Sequence, residues 1–266
     1  MILIYDYFCK KIFMQTSQLH KFIIRLSFLG ANFSGWQIQN NAPTIQGEIM
    51  KGLHYFLDRK SPLIVGAGRT DAGVHAINFF AHFEFYNQYL DTNNLLYNLN
   101  RFLPDNIVIH SIKLVSSDFH ARFSAISRKY EYWVSTKKDP FLINRAFYFY
   151  KELDLELMNL ASNMLLGHKN CSSFSKSNYD NSICNIQSAY WFKSKNMLIF
   201  SIESNRFLYN MVRCIVGTLI DVGLKKINLE DFTNIIESNN RSNAGFSVPA
   251  YGLYLSDVKY PKKYIL

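Results

Sequence analysis

Three segments hold the residues whose types and spacing could do chemistry. In the first, Gly66-Ala67-Gly68-Arg69-Thr70-Asp71-Ala72-Gly73-Val74-His75-Ala76, three glycines surround an arginine and an aspartate. Such a backbone turns tightly and presents both charges together. A phosphate loop of the form G-x-x-x-x-G-K-[ST] would need glycine at 63 and lysine at 69, where Leu63 and Arg69 stand. A dinucleotide fingerprint would need glycine at 71, which is Asp71. What remains is a carboxylate displayed on a loop or a plain structural turn, because Asp beside Gly is ordinary turn chemistry. The pattern by itself leaves both open.

The second segment is Phe119-His120-Ala121-Arg122-Phe123-Ser124-Ala125, followed by Ser127-Arg128-Lys129-Tyr130-Glu131-Tyr132-Trp133. In a strand, Arg128, Tyr130 and Tyr132 share one face. Aromatic rings beside guanidinium groups make a platform for unstacked bases and their phosphates; a core strand whose aromatics merely pack is the other reading. The third segment runs from Phe207 to Val222 and reads as a helix with an apolar stripe through Phe207, Leu208, Met211, Val212, Ile215, Val216, Leu219 and Ile220. Arg213 lies opposite that stripe, one turn after Tyr209, and gains a role only if something acidic faces it.

Composition narrows the partners. The 266 residues carry 29 Lys plus Arg against 20 Asp plus Glu, a formal +9 that attracts RNA, DNA and anionic membrane surfaces alike. Asn, Ile, Lys, Phe and Tyr are abundant throughout, so the charge alone does not choose among them. Cys9, Cys171, Cys184 and Cys214 are scattered, and no C-x-x-C or H-E-x-x-H pattern points to zinc or a redox dithiol. No apolar run approaches the ~20 residues of a membrane span. The opening MILIYDYFC contains Asp6 and lacks both a basic start and a cleavage site, which makes it a poor signal peptide. Residues 1 to 18 read as a poorly ordered leader, with Met14 an alternative start.

Elements must position these segments. Lys21 to Phe28 alternates as a strand, and a helix follows Thr44 with Ile45, Ile49, Leu53, Phe56 and Leu57 on one face. Further strands are expected at Asn78 to Tyr86, Ser127 to Ser135 and Leu253 to Val258. A helix should run from Asp154 to Gly167, another from Phe207 to Val222, and a short one should follow Asn228. A hairpin should pair Ile186 to Phe192 with Leu198 to Ser204 across Lys195-Asn196. The fold class is therefore α+β, with two similar halves, 19–118 and 119–266, each an antiparallel sheet with helices, facing each other across a cleft.

Together, GAGRTDAGVHA, FHARFSA with RKYEYW, FLYNMVRCIVGTL, and the closing Arg241 to Gly245 and Pro249 to Leu255 resemble the TruA family of tRNA pseudouridine synthases. The resemblance continues upstream in Gly35-Trp36-Gln37-Ile38-Gln39 and Thr44-Ile45-Gln46-Gly47, so it spans about Lys21 to Pro261. It implies a cytoplasmic homodimer with a basic cleft that isomerises uridine to pseudouridine at nucleotides thirty-eight to forty of the anticodon stem and loop. The implied partner is tRNA, with no cofactor, metal or membrane. Carried over by position, the catalytic carboxylate falls on Asp71, the active-site tyrosine on Tyr130 and the basic partner on Arg213. Arg69 would help extrude the target nucleotide, Leu253 would pack near it, and Arg128 joins Tyr130 as a substrate contact. Lys169-Asn170 departs from the family's usual Asp-Phe, and Ser204-Asn205-Arg206 from a frequent glycine. The competing readings are a catalytically silent tRNA-binding protein of this fold and, on charge alone, a DNA-binding protein.

Overall fold

The alternation of residues 20–28 buries Phe22, Ile24, Leu26 and Phe28 on one face of β1 (His20–Phe28), the first of ten strands among the described residues of the computed structural model. The structure describes residues 19–57, 63–87, 89–177 and 181–264, so the expected leader at 1–18, with Cys9, lies outside the described residues. β1 lies antiparallel between β3 (His75–Phe85) and β4 (Ile107–Val115), with the short β2 (Val65–Gly66) also on β3. β5 (Ser127–Ser135) pairs with β9 (Met197–Ser204), β9 with β8 (Ile183–Ser194) and β8 with β7 (Gly167–Asn170), all antiparallel. β6 (Phe147–Tyr148) runs parallel to the end of β5.

The last strand, β10 (Leu253–Lys259), joins the two sets. It is antiparallel to β5 and parallel to β3, so the described strands form one continuous, mostly antiparallel sheet where a separate sheet in each half was expected. Burial explains the seam. Leu255 and Val258 of β10 belong to the apolar core built on β1, β3 and β4, whereas Leu253 belongs to the core built on β5, β8 and β9.

Among the described residues five α-helices cover these cores. α1 (Ile45–Phe56) begins where the Thr44 hydroxyl accepts from the Gly47 amide at 3.2 Å. Its Ile45, Ile49 and Leu53 are completely buried, worth about 2 kcal/mol each, which outweighs the ~1 kcal/mol helix penalty of each of Gly47 and Gly52. α2 (Thr92–Phe102), capped by Asp91, packs on the same core through Leu95 and Leu99; its Asn-rich sequence hides it from periodicity. α3 (Leu155–Asn163), capped by Asp154, stops before the expected Gly167, whose φ of +87° starts β7. α4 (Met211–Gly223) starts four residues after the expected Phe207, because Asn210 is left-handed at φ +64° and breaks the first turn. α5 (Leu229–Glu237) opens on a reciprocal capping box between Asn228 and Asp231. Among the described residues no helix is long and apolar enough to cross a membrane.

Candidate active site

The glycine-rich loop owes its shape to the segments upstream of it. Gly35 has φ +91°, and a Cβ there would lie 2.4 Å from the Thr70 carbonyl oxygen, so only glycine lets the two backbones meet. The Trp36 amide donates to Thr70 O at 3.2 Å, the Gly73 amide to Phe33 O at 3.2 Å, and the Val74 amide closes the turn on Asp71 O at 3.2 Å. The Trp36 ring stacks on Phe79 at 4.3 Å and packs over Gly66, where a Cβ would approach it to 2.6 Å. Buried Gln46 ties the rest: its Oε1 accepts from the Ile38 amide (2.7 Å) and Gln37 Nε2 (2.9 Å), and its Nε2 donates to Ile64 O (2.8 Å).

His75, at the far end of the loop, is an anchor. Its Nδ1 accepts from the Gly30 amide at 2.9 Å, and its Nε2–H is shared by the carbonyls of Asn144 and Tyr251, each at 3.0 Å. Those partners assign the neutral tautomer with the proton on Nε2, and burial keeps the ring neutral by lowering its pKa. Tyr254 stacks on it at 4.7 Å.

Asp71 faces a cleft of about 660 Å³ whose lining brings in every expected site residue: Tyr130, Arg213, Arg69, Arg128 and Leu253. Burial raises the Asp71 carboxyl above its ordinary 3.8, while the positive charges of Arg213 and Lys176 oppose that rise. The three groups share a field without touching. Among the described residues no cationic nitrogen lies within 4.0 Å of the Asp71 carboxylate. Arg213, in the first turn of α4, is held by its Nε donating to Val248 O at 2.7 Å, and the Val248 amide returns a bond to Arg213 O at 3.2 Å. Tyr209 precedes the helix, which begins at Met211, and is half exposed on the cleft wall.

Tyr130 meets Phe207 edge-on at 5.0 Å. Burial first, then the Asp71 charge, push its phenol well above the ordinary 10.0, so it remains protonated. Tyr132 is fully buried with its hydroxyl on Pro249 O at 2.9 Å, and is no part of an exposed aromatic face. Arg128 lines the cleft and is also engaged with backbone. Its guanidinium donates to the carbonyls of Ala125 (3.2 Å), Asn205 (3.1 Å), Ala67 (3.0 Å) and Arg122, so it clamps three stretches of backbone at the cleft's edge. Arg69 is exposed at the rim, and Leu253 is buried beneath the cleft as β10 begins.

Sequence reasoning missed Lys176, for which no motif gave a signal, and the lining residues Arg122, Phe123, Arg206 and Phe207. Phe123 stood inside the FHARFSA stretch, where its exposure was not legible. The departure at Lys169-Asn170 lies on β7, away from the cleft lining, and the Asn170 side chain accepts from the Ser172 amide and hydroxyl. Cys171, Cys184 and Cys214 are free and buried. Among the described residues no group of three or more His, Cys, Asp or Glu is placed to hold a metal.

Known proteins match this chain closely. A family model described as tRNA pseudouridine synthase matches residues 161–261. The tRNA pseudouridine synthase A of Azobacteroides pseudotrichonymphae genomovar. CFP2 is 45% identical over 245 residues, covering 91% of this chain and 98% of that protein. That of Parabacteroides distasonis is 43% identical, covering 92% and 98%, and that of Clostridium kluyveri 38%, covering 88% and 97%. With such similarity along nearly all of its length, the chain belongs to the tRNA pseudouridine synthase A (TruA) family, isomerases that act on uridines of tRNA.

Proposed function

We propose that the chain converts uridine to pseudouridine at nucleotides thirty-eight to forty of the tRNA anticodon stem and loop, with Asp71 as the essential carboxylate. The observation that carries this reading is the single cleft in which Asp71, Tyr130 and Arg213, drawn from three distant segments, converge. The net reaction breaks the bond between uracil N1 and the ribose, turns the base and rejoins it through C5. One proton leaves C5 and one is gained at N1, so no redox partner is needed. The charges of Arg213 and Lys176 favour the Asp71 anion and oppose the burial that favours its acid form. A substrate base sealing the cleft strengthens that attraction by excluding water. Tyr130, a phenol held protonated, supports the uracil as a flat partner or hydrogen-bond donor.

The base must first leave its stack, which costs a few kcal/mol. Arg69 at the rim and phosphate contacts from the +9 surface offset that cost, so tRNA binding weakens steeply with salt. The working unit is a cytoplasmic homodimer whose subunits each present halves 19–118 and 119–266 across a basic cleft.

Asp71→Ala tests the assignment: release of tritium from tRNA labelled at uridine C5 should cease while tRNA binding survives. Release at the wild-type rate would overturn the role of Asp71. Wild-type protein that binds tRNA yet forms no pseudouridine would favour a silent binder of the same fold.

A further inference from the structure

The turn between β4 and β5 displays a ring whose aromatic and cation contacts are with its own turn, His120 and Arg122. Phe123 is 76% exposed although it lines the mouth of the cleft that holds Asp71. An apolar ring on a loose loop would fold back onto the protein, and here the turn prevents it. The His120 amide donates to Ser124 Oγ at 2.9 Å and the Ser124 amide to His120 O at 2.8 Å. The His120 Nδ1 accepts from the amides of Arg122 and Phe123, each at 3.2 Å. Ala121 between them is pinned from both sides, its amide to His82 Nδ1 (3.1 Å) and its carbonyl to the Tyr260 hydroxyl (2.6 Å). Arg128 holds the Arg122 carbonyl from below.

The ring's surroundings specify what it would take. His120 lies nearly parallel to it at 4.3 Å and 30°, and the Arg122 guanidinium carbon sits 5.5 Å from its centroid. A rigid flat apolar surface with a cation beside it matches a nucleobase attached to a phosphate. Of the aromatic residues expected on one face of β5, Tyr130 lines the cleft while Tyr132 is buried, and Arg128 is engaged with backbone; a second pairing of ring and guanidinium stands on this turn.

We propose that the His120–Ser124 turn is a stacking subsite for a nucleobase neighbouring the target uridine, with Phe123 supplying the surface and Arg122 meeting the adjoining phosphate. This rests on the tRNA reading above. When the target nucleotide swings towards Asp71 its neighbour loses a stacking partner, and Phe123 replaces that partner, lowering the cost of extrusion. Every base has a flat face, so the subsite tolerates any neighbour.

The test uses the full chain with Phe123→Ala, Phe123→Leu and Phe123→Trp. Two readouts are compared: KM and kcat for tritium release from tRNA, and fluorescence quenching of 2-aminopurine placed next to the target uridine in an anticodon stem-loop RNA. Phe123→Ala should raise KM on the order of tenfold and relieve the quenching, Phe123→Leu should do the same, and Phe123→Trp should restore both. Exposure of the ring means that unfolding temperature should not move, which separates this effect from damage to the fold. KM and quenching within about twofold of wild type in Phe123→Ala would overturn the subsite, that change being below what a stacked base contributes. A loss of self-association with quenching intact would also overturn it, assigning the ring to a protein contact. If the wild type releases no tritium, the catalytic reading fails by itself, and quenching, which needs no turnover, still decides the subsite.

Discussion

Arg128→Met distinguishes a backbone clamp from a phosphate ligand. The substitution keeps the apolar stem and deletes the guanidinium, whose nitrogens reach the carbonyls of Ala67 at 3.0 Å, Asn205 at 3.1 Å, Ala125 at 3.2 Å and Arg122. The Asn205 and Arg122 contacts are exposed, and their carbonyls return to water at little loss. The Ala67 and Ala125 contacts are partly buried. At the lower end of the range for hydrogen bonds from a charged donor, these two are worth about 3 kcal/mol together. For a chain of this size that lowers the unfolding temperature by roughly 6–10 °C. The tRNA side reads oppositely. A clamp makes no phosphate contact, so the slope of log binding constant against log salt should stay at the wild-type value even as turnover falls with the displaced loop. A phosphate ligand would leave the unfolding temperature nearly unchanged and make the slope shallower by about 0.7 to 0.9. An unfolding temperature within about 2 °C of wild type together with that shallower slope would refute the clamp.

Two further outcomes follow from the loop and its supports. Gly35→Ala must place a Cβ 2.4 Å from Thr70 O at φ +91°, so it should cost about 2 kcal/mol or more in urea unfolding and depress turnover by shifting the Asp71 loop; Gly68→Ala, whose Cβ meets open space, should leave stability within about 0.5 kcal/mol. Burial, with the nearby His120 and Lys21, lowers His82 from 6.5 to about 4. Because its folded pKa is depressed, His82 contributes stability that is complete above pH 6.5 and is lost as pH falls through about 4, up to about 3 kcal/mol. Chemical denaturation midpoints between pH 7 and pH 4 should show this decline, and His82→Phe should flatten it; an equally steep decline in the variant would remove His82 as the cause.

Local signals in the sequence carried the elements whose causes are local. Thr44 and Asn228 cap their helices as their spacing predicts, β5 spans Ser127–Ser135 as its alternation predicts, and Lys195-Asn196 forms the turn between β8 and β9. What escaped depends on partners far along the chain. β10 pairs with β3 across roughly 180 residues, and no periodicity in either strand encodes that pairing. α2 is held by Leu95 and Leu99 amid asparagines, which gives too narrow a stripe to recognise. In the site, residue identity and motif order led to Asp71, Tyr130 and Arg213, which converge on one cleft. The backbone ties of Arg128 escaped because charge and strand face predict where a guanidinium points but not which carbonyls await it. Lys176 acts on Asp71 through space alone, so nothing in its own neighbourhood announces it.

The placement of Asp71 belongs to the joined sheet more than to the strands beside it. Four residues before it, the Ala67 carbonyl is held by Arg128 of β5; four residues after it, His75 donates to the carbonyls of Asn144 and Tyr251. Both ties come from chain beyond Phe119, and the parallel pairing of His75 with Tyr254 and Ala76 with Leu255 continues the second one into the sheet. Between the ties the loop is braced from below by Trp36 and Gly35, while a side chain at Gly68 would meet only open space above. A span fixed at both ends and unobstructed on top satisfies two opposed demands that the role proposed for Asp71 would make on its carboxylate. It must be desolvated and held still, so that opposing charges act on it with full strength, and it must remain reachable by a base arriving from outside. A strand or helix interior would meet the first demand and fail the second, and a free loop would do the reverse. The glycines and the histidine of GAGRTDAGVHA are therefore as much a part of presenting the anion as Asp71 itself.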